Sequence, residues 1–341
     1  LLVGAGFGVG MLNKQTILML AVSLFVGILA GRRLDVLRNR WLPVGVLLAG
    51  AIAIPNLVWQ ASHNWPQFEM AGAIRQENPQ FPLSITMVAF LVLTANPVIA
   101  PLWIGGLVSL LKSPSTADLR PLGWTAVAAF ALLVLAGGQF YYPAPVLIPL
   151  VAAGAVAAQR RLRLNEGKRF ARTVGIVAAS ALIGAPIVLP ILPLPVLAKT
   201  PVGEVNPDAL ETVGWPELVE TVASVYEGLS PEDRARTTLF TSNYGEAGAI
   251  ERYGPAFGLP LPASGHNNYW LWGPPPDDKD LAIAVGVPES TVSEICADYR
   301  LAARIESPHG IDNDQDGRPV WVCPRMRATW KTLWPTLRHY G

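Results

Sequence analysis

Over its first two hundred residues the chain alternates long apolar runs with short basic or polar clusters; beyond that point the alternation stops. Leu1–Leu12 is apolar and glycine-rich but too short to cross a bilayer, which takes about 20 residues, and Asn13-Lys14-Gln15 interrupts it. Further apolar runs follow at 17–30, 41–59, 85–111, 121–138, 143–158 and 174–197. Between them lie Arg32, Arg33, Arg38 and Arg40, then the polar stretch 60–83, then Lys112 and Arg120. Gln139-Phe140-Tyr141-Tyr142 comes next, and a final cluster runs from Arg160 to Arg172.

Threaded alternately through a membrane, these runs place every basic cluster on one side, which marks that side as cytoplasmic. Lys14, residues 60–83 and the tyrosine pair fall on the other. The expected fold is therefore a membrane all-α multi-span bundle over 1–200, with one partial and six full spans and an outer loop at 60–83. Helices buried in a soluble protein would carry no such bias. The chain opens on Leu-Leu-Val-Gly rather than Met, and we expect a fragment whose first residues are missing.

Residues 201–341 have an ordinary soluble pattern. Helices are expected at 207–229, 245–252, 290–299 and 328–339, and strands at 236–241, 268–272, 281–287 and 318–322. Alternating strands and helices imply a small α/β soluble domain, extracytoplasmic because the last span runs outward. Composition agrees: 51% of residues are hydrophobic and only 15% are charged, so the chain as a whole is not an ordinary soluble protein. A net charge of +1 gives no basis for nucleic-acid binding.

The chemistry-bearing residues sit at the outer boundary. Lys14 there can neutralise a lipid-linked phosphate as a compact point charge, or simply snorkel to the interface. Tyr141 and Tyr142 can hydrogen-bond a phosphate or sugar, or form part of an aromatic belt with Trp59 and Trp65. His63 is a solvated loop histidine or a catalytic one. Arg75 with Glu77 orients an anionic substrate or forms a surface ion pair. Asp312-Asn313-Asp314-Gln315-Asp316-Gly317 matches the first half of a calcium loop, but Cys323 stands where the closing glutamate belongs. It reads as a polar hairpin turn, and no metal is expected. Cys296 and Cys323 are paired or remain two buried thiols. The chain has no Walker loop, nucleophile elbow or dinucleotide-binding turn, so no cofactor is expected.

Several stretches carry a resemblance. They are Gly8-Val9-Gly10-Met11-Leu12-Asn13-Lys14, Pro55-Asn56-Leu57-Val58-Trp59-Gln60 with Asn64-Trp65-Pro66, Asn96-Pro97 with Pro101-Leu102-Trp103, and Gly138 to Pro145. Ser242-Asn243-Tyr244-Gly245-Glu246-Ala247 and the run from Ser264 to Gly273 (S-G-H-N-N-Y-W-L-W-G) belong with them. The chain resembles bacterial family 39 glycosyltransferases of the C-type membrane fold, kin to protein O-mannosyltransferases and lipid A aminoarabinose transferases.

The resemblance implies an inverting sugar transfer from a polyprenyl-phosphate donor to an acceptor lipid, glycan or protein at the outer face of the bacterial inner membrane. Lys14 matches the family lysine that meets the donor phosphate, and Tyr142 a tyrosine near it. Relatives often carry lysine where Gln139 stands. The acidic general base of such enzymes lies in a first outer loop, expected upstream of Leu1. His63, Arg75 and Glu77 lie in the right loop without matching a motif. Two other readings stand beside this one: a transporter built around the broken span at Asn96-Pro97, and a membrane anchor presenting an outer recognition domain.

Overall fold

A computed structural model describes residues 1–77, 96–136, 142, 144–162 and 167–340, and divides into two compact units, Leu1–Leu182 and Ile183–Gly341. The first unit is helical: α1 Leu2–Asn13, α2 Ile17–Ala30, α3 Leu42–Ser62, α4 Pro66–Glu77, α5 Ala100–Lys112, α6 Arg120–Ala136, α7 Ala144–Leu162 and α8 Lys168–Val188. Among the described residues, Leu42–Ser62, Pro114–Leu135 and Lys168–Val188 are long and apolar enough to cross a membrane. Six full spans were expected. At 14 residues α2 extends about 21 Å, short of the roughly 30 Å hydrocarbon core. Of the expected span 85–111, the structure describes the 13-residue α5, while residues 78–95 lie outside the described set.

Small residues set the packing. Gly4 of α1 lies against the backbone of Gly45 in α3, and Gly8 against Ala49 and Ile52, so these two helices run parallel. Gly27 of α2 meets Pro121 and Thr125 at the start of α6, which runs back the other way. Gly106 of α5 and Gly154 of α7 face each other's backbones so closely that neither site has room for a Cβ. Such contacts let helices approach where apolar burial gives no net drive. Ala100, Trp103, Leu110, Leu147 and Leu150 fill the seam along α5 and α7, with Ala126 of α6. These directions are the ones that alternate threading requires.

Two boundaries differ from expectation. The expected outer loop 60–83 holds a helix, α4. Asn64 and Trp65 make the turn before it with φ of 60° and 57°, and Pro66 starts the helix, where its missing N–H is no loss. The expected crossing 174–197 begins earlier, at Lys168, and ends at Val188 ahead of Pro190 and Pro193. Leu192, Leu194 and Leu197 instead pack with Val202, Val213 and Ile311 in the second unit.

The second unit is built on a five-stranded sheet in the order β2-β1-β3-β5-β4, with β1 Thr237–Thr241, β2 Pro262–Ser264, β3 Leu281–Val285, β4 Cys296–Arg304 and β5 Pro319–Met326. The first three strands are mutually parallel; β5 runs antiparallel to both its neighbours. Both faces are covered, so β1 and β3 are buried at every position. Leu239, Ile283 and Val285 pack under α9 (Trp215–Glu227) and α10 (Tyr244–Tyr253). On the other face Ala282 and Ala284 leave room for Trp330, Trp334 and Leu337.

Four expectations fail here. The aromatic run 268–272 is a 3-10 turn, Asn267–Trp272, instead of a strand: Trp270 and Trp334 each donate an indole N–H to the other's carbonyl, at 2.8 and 2.9 Å. The expected helix 290–299 stops at Ile295, because Cys296 opens β4. Pro335 confines the closing helix to Trp330–Leu333 plus a 3-10 turn. Of 207–229, only Trp215–Glu227 is a long helix, set off by Gly214 at φ 90°.

Cys296 and Cys323 form a disulfide with Cα atoms 5.8 Å apart, joining β4 to β5. The Asp312–Gly317 stretch is a structural turn. Asn313 bridges Ser307 to the carbonyls of Leu210 and Val213, and among the described residues no His, Cys, Asp or Glu group could hold a metal.

Candidate functional site

The polar residues of the first unit collect at its two helix ends. One end gathers arginines. Arg33, just past α2, donates to Asp35 at 2.9 Å and to Asp118 before α6 at 3.1 Å. Arg160, near the end of α7, donates to Ser115, which follows α5. Helix α6 runs 17 residues from this end, about 25 Å at 1.5 Å per residue.

Beyond the far end of α6 stands Tyr142. Lys14 follows the last residue of α1, in extended conformation, and its Nζ lies 4.7 Å from the centroid of the Tyr142 ring. That is cation–π range. The next residue, Gln15, reaches Asn56 of α3 at 3.4 Å, so the P-N-L-V-W-Q stretch lies beside the lysine's own turn. One helix turn beyond Asn56, Trp59 stacks on His63 at 4.4 Å, and the His63 Nδ1 is 2.8 Å from the Trp59 carbonyl oxygen. Lys14 is exposed at this end. The sequence-selected residues Lys14 and Tyr142 are thus in contact although 128 positions separate them. Helix α4 carries Arg75 and Glu77 on its backbone; their side chains, and Tyr141 entirely, lie outside the described residues.

An exposed ammonium beside a phenol at the end of an apolar bundle can bind one anionic group. The ring face balances part of the lysine charge without using its N–H donors, and the phenol oxygen adds a hydrogen-bonding partner. Asn96, at φ 71°, donates to Ser180 and accepts from the Val98 N–H, so its amide serves its own turn and α8.

The second unit has its own polar cluster, at the carboxyl ends of the parallel strands. After β1, Asn243 caps α10 in a box with Glu246: Asn243 Oδ1 accepts the Glu246 N–H at 3.0 Å, and Glu246 Oε2 accepts the Asn243 N–H at 3.1 Å. Glu246 is fully buried, and its other oxygen faces Gly286, which follows β3 at φ 67° and has no space for a Cβ. Burial pushes its carboxyl up to about 7. After β2, His266 stacks on His339 at 4.9 Å and accepts the Tyr244 N–H at 3.2 Å. Burial and the neighbouring His339 push it down to about 4. Tyr269 is raised to about 12 by burial and by Glu251. The capping box is legible as N-x-x-E; the histidine pair, 73 positions apart, is not.

Comparison with protein-family models, with curated proteins and with solved structures returns no match. Geometry and chemistry alone therefore decide between the two clusters. The strand-end cluster is mostly buried, with its capping box closed by its own hydrogen bonds, whereas Lys14 stands exposed at a bundle end.

Proposed function

We propose that the chain belongs to an integral-membrane glycosyltransferase of the bacterial inner membrane. It moves a sugar from a polyprenyl-phosphate donor to an acceptor at the non-cytoplasmic face. The single observation that supports this most is the Lys14–Tyr142 contact at the helix ends opposite the arginines. A donor whose tail lies in lipid presents its phosphate at the headgroup level, where these two side chains would stand.

The chemistry follows from charge. As the acceptor oxygen forms its bond to the anomeric carbon, the bond from that carbon to the phosphate oxygen breaks. Negative charge then grows on the departing lipid phosphate. Lys14 neutralises it and the Tyr142 hydroxyl donates to it, a stabilisation stronger in the transition state than in the bound donor. The acceptor proton goes to a general base.

The test is transfer by the full-length protein, reconstituted with polyprenyl-phosphate sugar. Lys14→Ala should lower transfer by about a hundredfold or more, the scale of losing one such electrostatic donor, while membrane insertion stays intact. Unchanged transfer by that variant removes Lys14 from the site.

A further inference from the structure

At the arginine end of the first unit a cavity of about 720 Å³ opens beside α5, α7 and the 3-10 turn Pro114–Leu119. Its wall is apolar, formed by side chains such as Pro149, Ala153 and Val156; its mouth carries Ser113, Ser115, Arg160 and Arg161. The sequence explains the hollow. Gly106 and Gly154 pull α5 and α7 into backbone contact, and the alanines flanking Gly154 are too small to fill the space toward the helix ends.

The charge of the mouth is one-sided. Among the described residues, no Asp or Glu lines the cavity. Arg160 donates to Ser115 Oγ at 3.1 Å, and that hydroxyl lies 2.9 Å from Ser113 Oγ. Among the described residues neither Arg160 nor Arg161 meets a carboxylate, whereas Arg33 at the same end is taken up by Asp35 and Asp118. Two exposed guanidinium groups and two hydroxyls above an apolar hollow match an amphiphile with an anionic head. A free phosphate would satisfy the mouth and leave the apolar wall to water.

The geometry points to a binding site for one anionic phospholipid. Its phosphate is held by Arg160, Arg161 and the paired serines, and an acyl chain lies along Pro149, Ala153 and Val156. Guanidinium forks suit phosphate oxygens, and basic pockets at the cytoplasmic ends of spans take anionic headgroups. The inference rests on the membrane embedding of the first unit and is independent of sugar transfer.

The experiment is native mass spectrometry of the full chain released from detergent. Dioleoyl phosphatidylglycerol, dioleoyl phosphatidylcholine and glycerol 3-phosphate are titrated separately. One phosphatidylglycerol should be retained in preference to phosphatidylcholine. Each arginine near an anionic headgroup contributes about fivefold in affinity, so R160Q/R161Q should weaken retention about thirtyfold. Ala153→Leu, which fills the wall and leaves the charges alone, should also weaken it, while R169Q/R172Q, outside the lining, should not. Both arginine pairs are exposed, so these variants keep the comparison valid should Ala153→Leu fail to fold. Equal retention of phosphatidylcholine, retention unaffected in R160Q/R161Q, or equally tight binding of glycerol 3-phosphate would each overturn the site. Membrane insertion without a retained phosphatidylglycerol overturns the lipid site alone, and failure to insert overturns the membrane reading itself.

Discussion

Glu246 and His266 should give the second unit two opposing pH dependences that hide one another. The folded Glu246 titrates at about 7 against an ordinary 4.5, so its contribution is fully present below pH 4.5 and lost as pH rises through 7. His266 is the reverse: folded at about 4 against 6.5, its contribution is present above 6.5 and lost as pH falls through 4. Moving the carboxyl from 4.5 to about 7, and the imidazole from 6.5 to about 4, each corresponds to about 3 kcal/mol. Over the shared window the slopes have opposite sign and similar size, so wild-type stability should be nearly flat between 4.5 and 6.5. Glu246→Gln keeps an acceptor for the Asn243 N–H and removes the charge. Its stability should climb by about 3 kcal/mol from pH 4 to 6.5 and then level off. Pulse proteolysis across a urea series, read on the fragment covering 183–341, measures this directly. If Glu246→Gln is as flat as wild type, either the carboxyl is not desolvated against Gly286 or the histidine is not held neutral.

Further outcomes follow from named contacts. Replacing Cys296 and Cys323 by serine reopens a loop spanning 27 positions and should cost about 3.5 kcal/mol by loop entropy, seen as a lower urea midpoint for the same fragment. Gly106→Leu drives a side chain into the backbone of Leu150 and should separate α5 from α7, lowering the melting temperature of the detergent-solubilised protein; Gly105→Leu, on an open face, should not. Tyr142→Phe keeps a ring under Lys14 but removes the hydroxyl, so sugar transfer should fall in kcat by about tenfold, the scale of one lost hydrogen bond, with KM for the donor little changed.

How far the residues foretold the structure depends on whether the signal was local. Apolar runs punctuated by basic clusters marked most helices of the first unit, since a helix's two ends are written in its own flanks. The buried strands Thr237–Thr241 and Leu281–Val285 were equally legible as short β-rich runs between turns. Misreadings came where partners lie far away in sequence. The aromatics at 268–272 look like a strand, yet Trp270 is fixed by Trp334, 64 positions on. Cys296 looks like the middle of a helix and instead opens a strand paired with β5. Residues 66–77 pass for a loop because their composition is polar, although Pro66 and the A-G-A-I-R-Q-E run favour helix. Of the candidate site, the residue types were legible; the contact between Lys14 and Tyr142 required the fold. The cavity below Arg160 gave no sign in the sequence, because alanines that line a hollow read like alanines that fill one.

The central claim is that Lys14 and Tyr142 share one non-cytoplasmic face. The only two cysteines are joined in the disulfide, so cysteines introduced singly at 14, 142 and 115 report alone. In intact cells a membrane-impermeant maleimide should label Lys14→Cys and Tyr142→Cys, and reach Ser115→Cys only after permeabilisation. Labelling of 14 and 142 from opposite sides would contradict the account.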